Sequence, residues 1–203
     1  MKTISVKKTE DIARRIVREA RRHFFLHGFR NVTMSDLAAE MGVSKKTLYV
    51  HFTSKQELVK TVVETKYAEL SAALLEVHSG STDFAATIHR LLVTIQKQAR
   101  EVSPSFLRDL RRELPALFEF FRERRQKIMS DTFGKLLRQG QKEGAVRRDI
   151  SVEFQVEVLL ATVYRLATPE KIDEMKISLE RLIHDILGIF LEGTLTKKGR
   201  SKL

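Results

Sequence analysis

The chain has no cysteine, which excludes a disulfide framework and thiolate chemistry. Proline is nearly as scarce. The three prolines, Pro104, Pro115 and Pro169, each stand where a helix would begin, the position at which a missing N–H costs least. No segment alternates apolar and polar residues for long enough to suggest a strand. Long apolar runs are missing too: "VEVLLATVYRLA" and "ILGIFLEG" are short and carry Glu157, Arg165 and Glu192, so no membrane span is expected. The first nine residues are basic but lead into no apolar stretch, which argues against a secretory leader and for a cytoplasmic address. Acidic residues are in deficit, 26 against 37 basic ones, for a net charge of +11. Within the first 60 residues the imbalance is 13 basic to 6 acidic. A basic leading segment on a milder body points to a polyanion partner, nucleic acid ahead of an anionic membrane surface. The 203 residues suffice for one or two domains with a sizeable core and no covalent or metal staple.

What is present is helical periodicity along the whole chain, and the fold class it predicts is all-α with about nine helices. Ile12, Ile16, Ala20 and Phe24 recur every four residues, while Arg14, Arg15, Arg18, Arg21 and Arg22 take the opposite face. Gly28 ends that helix. Thr33 with Asp36, and Ser54 with Glu57, match the capping box and place new starts just after 33 and 54. Two short helices, about 34–41 and 45–51, are thus expected before a long one from 55 to about 78. Later breaks fall at "HSGST", near Pro104 and Pro115, across 144–149, and at Thr168–Pro169. The domains expected are a helix-turn-helix unit over 8–54, a larger helical unit over 55–193, and a disordered basic tail over 194–203.

The stretch "TMSDLAAEMGVSKKTLYVHF" reads as a device. Leu37, Ala38 and Met41 make the apolar side of the first short helix, Gly42 supplies a sharp left-handed turn, and Val43 fills the corner beneath it. Ser44 caps the second helix. Leu48 and Phe52, four apart, point inward, and Lys45 and Tyr49 lie on a neighbouring face beside Lys46 and Thr47. Two lysines at a helix N-terminus oppose the local dipole at a cost of a few tenths to about 1 kcal/mol each. Contacts to phosphates or guanine edges outweigh that, a good bidentate base contact being worth roughly 1–3 kcal/mol. The motif is a helix-turn-helix about 33–52 whose second helix would enter the major groove.

From about Ile12 to Val63, and most specifically in "VTMSDLAAEMGVSKKTLYVHFTSKQEL", the sequence resembles the DNA-binding signature of the tetracycline-repressor (TetR) family of bacterial transcriptional regulators. The resemblance implies a dimeric repressor that binds a palindromic duplex operator and releases it when a small molecule enters the second domain, with no cofactor and no enzymatic activity. It also implies roles for residues. Lys45, Lys46 and Thr47 match the family's variable base-reading positions, and Tyr49 and His51 match positions that contact the DNA backbone; for His51 packing explains the residue equally well. Thr33 would touch a phosphate or serve only as a cap, and Lys55 would hold a phosphate at the start of the long helix. Ser44, at the head of the reading helix, belongs with this DNA-facing group.

In the family the ligand lies among the middle helices. Phe106, Phe118, Phe121, Met129 and Phe133 are therefore candidate apolar walls and His89 and Arg125 candidate polar anchors, with plain core as the alternative for each. The apolar composition suggests a largely apolar effector. The last two long helices carry more apolar surface than one face can hide. Phe154, Leu159, Val163, Leu179, Leu182, Ile183, Ile186 and Phe190 are expected in a four-helix homodimer interface, against burial within the protomer. Glu19, His23 and His27 share a helix face at metal-ligand spacing but sit among arginines without supporting acidic groups, so no metal site is expected. The chain lacks any serine–histidine–acid order or phosphate-cradling glycine loop. The competing function is a helical carrier of a lipid or other hydrophobic ligand with a basic membrane-binding face.

Overall fold

A computed structural model describes residues 2–77 and 83–201, with side chains from residue 12 onward. The "HSGST" break falls outside the described residues. The described chain forms α1 (Lys2–His27), α2 (Met34–Glu40), α3 (Lys45–His51), α4 (Lys55–Val77), α5 (Phe84–Arg100), α6 (Pro104–Glu113), α7 (Pro115–Glu143), α8 (Val152–Leu166), α9 (Pro169–Met175), α10 (Leu179–Thr194) and α11 (Lys197–Arg200). No strand occurs among the described residues, and no described helix is long and apolar enough to cross a membrane.

The helix starts follow local chemistry. Thr33, Ser44, Asp83, Ser103, Ser151, Thr168, Ser178 and Thr196 each accept a hydrogen bond from the backbone N–H three residues on. Such a cap satisfies a donor the helix cannot. The three prolines occupy the first turns of α6, α7 and α9. At α4 the expected box is shifted: Ser54 Oγ accepts from the Glu57 N–H at 3.1 Å, while the Glu57 carboxylate reaches the N–H and hydroxyl of Thr53, both at 2.7 Å.

Eleven helices rather than nine arise in two places. Lys176 adopts a left-handed backbone, φ 55°, and splits α9 from α10 without a glycine or proline to announce it. The tail expected to be disordered forms α11 as far as Arg200. Leu195 bridges to Val146, the Thr196 N–H donates to the Ala145 carbonyl at 2.9 Å, and Lys198 Nζ donates to the Glu143 carbonyl at 2.7 Å. Gly199 seats directly on the Ala145 carbonyl, where a Cβ would lie 2.2 Å from its oxygen.

Two apolar clusters divide the protein. One joins α1, α2, α3 and the first half of α4 through Ile16, Phe24, Leu37, Leu48, Leu58 and Val62, and it also takes in Phe106 and Leu110 of α6. The other packs α4, α5, α7, α8 and α10 around Leu74, Phe84, Leu91, Phe133, Leu159 and Ile186. The expected boundary at residue 54/55 is therefore bridged twice. Helix α4 belongs to both clusters, and α6, from the larger unit, packs on the smaller one.

Candidate nucleic-acid interface and ligand cavity

Helix α3 is anchored below and open above. Leu48 and Phe52 are buried against α1 and α2, and full burial of a side chain of that size is worth about 1.5–3 kcal/mol. Ser44 Oγ accepts from the Thr47 N–H at 3.0 Å and lies 2.8 Å from the Thr47 hydroxyl, which ties down the first turn. Arg15 of α1 donates to the Met41 carbonyl at the end of α2. On the solvent side Lys45 and Lys46 are exposed, and neither has a carboxylate partner among the described residues. Lys45 Nζ stands 5.9 Å from the centre of the exposed Tyr49 ring, and Thr47 and His51 are half-buried at the edges of the same surface. Val50 joins this face, 71 % exposed. Its phase, two residues from each of Leu48 and Phe52, was the available signal. An apolar side chain there suits a thymine methyl.

Two residues expected to face DNA have other work. Lys55 Nζ lies 3.0, 3.1 and 3.0 Å from the carbonyls of Phe29, Arg30 and Val32, which uses all three ammonium protons. Lys55 pins the α1–α2 turn instead of offering its charge to a phosphate. Thr33 closes a full capping box: its hydroxyl accepts from the Asp36 N–H and donates to the Asp36 carboxylate at 2.7 Å, leaving no proton for a phosphate. Hydrogen bonds from Thr33 hold the Asp36 carboxyl below its usual range.

Between the two clusters lies a cavity of about 470 Å³, bounded by α4, α5, α6, α7, α8 and α10. Phe106, Phe118, Phe121, Met129, Phe133 and Arg125 line it. His89 does not. The buried stripe of α5 runs through Phe84, Ile88, Leu91 and Ile95, and His89 projects from the other side into solvent. Its polar place on the wall is taken by residues the sequence did not single out: Lys66, Gln98, Arg122 and Tyr164. Burial pushes the Tyr164 hydroxyl up, against the opposing influence of Arg125 and Arg122. Gln98 Oε1 is enclosed without a donor.

Beside the cavity, charges join three elements. Glu101, just after α5, accepts from Lys66 of α4 at 2.7 Å and from Arg21 of α1 at 2.5 Å; Arg21 also reaches Glu69 of α4 at 2.6 Å. Burial pushes the Glu101 carboxyl up, but the hydrogen bonds from Lys66 and Arg21 together prevail and hold it below its usual range. For Lys66 burial prevails, and its ammonium is shifted down despite Glu101.

The expected dimer residues divide. Leu159, Leu182, Ile183 and Ile186 are buried in the protomer's own core, and Val163, Leu179 and Phe190 are half-buried against it. This corrects the expectation: the apolar excess of α8 and α10 is largely covered by α5 and α7 of the same chain. Phe154 stays 61 % exposed on α8, with Val158 beside it, and Ile189 is 78 % exposed on α10. Gly188 and Gly193 open onto empty space on α10. Glu19, His23 and His27 make no metal cluster among the described residues; His23 and Arg22 instead pair with Glu40.

The sequence profile of the tetR family of bacterial regulatory proteins matches residues 16–62, from within α1 to within α4. The chain is similar to the HTH-type transcriptional regulator YvaF of Bacillus subtilis strain 168, 31 % identical over 100 residues that cover 49 % of this chain and 52 % of that protein. It thus spans about half the length of that relative. It is also 28 % identical to the HTH-type transcriptional repressor KstR2 of Rhodococcus jostii strain RHA1 over 146 residues, 70 % of this chain and 71 % of that one. A TetR-family regulator from Agrobacterium tumefaciens shares the fold, with a TM-score of 0.71 over 93 % of this chain and 100 % of that one at 18 % identity.

Proposed function

We propose, from the match of the tetR-family profile to residues 16–62 and the likeness to a curated repressor, that the chain is a TetR-family regulator: a homodimeric transcriptional repressor in the cytoplasm, released from a palindromic operator by a largely apolar small molecule. Lys45 and Lys46 read base edges, with Thr47, Tyr49, Val50 and His51 completing the surface that meets the groove. Phe154, Val158 and Ile189 are the apolar side chains that α8 and α10 present to the same helices of a second copy.

The observation that carries the release mechanism is the course of α4. It begins four residues after α3 ends, and further along it lines the cavity with Val63, Lys66, Tyr67 and Leu70. A ligand that wedges the cavity wider swings this helix and changes the separation of the two reading helices. Half-sites lie about 34–36 Å apart, one helical turn, so a wider dimer fits poorly. A coupling of about 1–3 kcal/mol weakens operator binding roughly 5- to 150-fold. Linkage supplies the test: operator DNA must weaken ligand binding by the same factor. Equal ligand affinity with and without operator contradicts release.

A further inference from the structure

We infer that the cavity takes an apolar molecule bearing one carboxylate, with the acidic group held between Arg125 and Tyr164. This rests on the reading of the cavity as the effector site. Its lining carries five cationic side chains, Lys66, Arg111, Arg122, Arg125 and Arg165, against a single carboxylate, Glu119. Lys66 is paired with Glu101 at 2.7 Å, Arg111 with Glu170 at 3.2 Å and Arg122 with Glu119 at 2.6 Å. Arg125 and Arg165 have no carboxylate partner among the described residues. The Arg125 guanidinium stands 5.8 Å from the centre of the Tyr164 ring, on the same stretch of the lining. A forked cation and a phenol are thus neighbours on one part of a largely apolar wall.

The ligand's head group follows from that arrangement. A carboxylate accepts from the guanidinium and the phenol together, and such charge-assisted bonds are short and strong. Arg122 can add a further donor, because its exposed pair with Glu119, one turn away, holds it only weakly. An amine would meet an excess of positive charge with the one lining carboxylate already engaged. A neutral apolar molecule would leave the donors of Arg125 and Tyr164 unused and forgo the charge-assisted bonds that an acid makes.

The test uses the full chain and compounds matched in skeleton: dodecanoate, dodecanol and dodecyltrimethylammonium below their micellar concentrations, and cholanoate beside cholanol. Affinity is read by calorimetry and by the shift in thermal unfolding. The acid of each set should bind roughly 10- to 100-fold tighter than its alcohol, the contribution of one or two hydrogen bonds to a charged group. Arg125→Gln combined with Tyr164→Phe should bring the acid down to the alcohol's affinity, and Arg125→Lys should keep part of the preference. Equal affinity for acid and alcohol, or tighter binding of the ammonium, overturns the head-group assignment. Failure of every compound to bind overturns the cavity as an effector site and this inference with it. A preference for acids that leaves operator affinity unchanged keeps the assignment and overturns release.

Discussion

Asp109 of α6 and Phe29 of the α1–α2 turn are joined by a 2.7 Å hydrogen bond from the Phe29 N–H to Asp109 Oδ2, across 80 residues of sequence. The same oxygen accepts the Arg30 N–H at 2.8 Å. Gly28, with φ +80°, lies so close that a Cβ there would sit 2.4 Å from Oδ2. The Phe29 ring meets Phe106 of α6 edge-on at 5.8 Å. On its other side the turn gives its carbonyls to Lys55 of α4. The turn that leads into the helix-turn-helix is therefore clamped by α6 and α4, and both helices line the cavity.

Asp109→Ala removes the acceptor of the exposed Arg30 N–H and of the part-buried Phe29 N–H, and a donor such as the latter left unpaired away from water costs about 1–3 kcal/mol. The variant should lose stability by about that amount in urea titration. Its operator affinity should also respond less to ligand, because α6 no longer pulls on the turn. Gly28→Ala should do the same through steric conflict with Asp109 and an unfavourable positive φ.

Lys55→Met should lower stability by about 1–3 kcal/mol, since three carbonyls lose a charged donor. The slope of log affinity against log salt should stay as it is. Lys45→Ala, by contrast, should alter base preference at a particular operator position, and an even weakening across all sequences would contradict its assignment as a reader. A flattened slope in the Lys55 variant would return that residue to the DNA surface.

The helix starts were legible because serine, threonine, aspartate and proline act within one turn, and α3 was legible because Leu48 and Phe52 fix its inward face. The destination of Lys55 was not: its acceptors are carbonyls 23 to 26 residues away, and no local pattern encodes that meeting. Lys176 hid the α9–α10 break because it takes a backbone conformation usually left to glycine or asparagine. Leu182 and Ile186 look alike in sequence whether the helix that covers them comes from the same chain or a second one. His89 shared the composition of a binding residue but not the phase of the buried stripe.

Phe154→Glu combined with Ile189→Glu should give a folded monomer, because both side chains are exposed in the protomer and carboxylates there meet only the proposed second copy. Leu182→Glu with Ile186→Glu should instead unfold the chain, since charges placed in the core cost several kcal/mol unless paired. Sedimentation and circular dichroism together separate the two outcomes. A wild-type chain that sediments as a monomer at micromolar concentration contradicts dimerisation without any variant.

Glu101 sets an acid limb. Its carboxyl is held below the unfolded value by Lys66 and Arg21 in spite of burial, so its contribution to stability is fully present above about pH 4.3, the ordinary glutamate value. It is lost as pH falls below that toward the lower folded-state value. Stability measured between pH 6 and pH 3, both about the range where glutamates titrate, should fall less steeply in Glu101→Gln than in the wild type. An identical acid limb contradicts the network.

The most direct measurement is selection of bound duplex fragments from the source genome in excess competitor DNA, followed by affinity measurement at physiological salt. A repressor of this design should enrich one palindromic sequence with half-sites about one helical turn apart, bound at least roughly 10³-fold tighter than unrelated DNA. Lys46→Ala should change which bases that sequence requires. Weak binding to all duplexes alike, with comparable binding to anionic vesicles, would contradict a repressor and favour a carrier with a basic face.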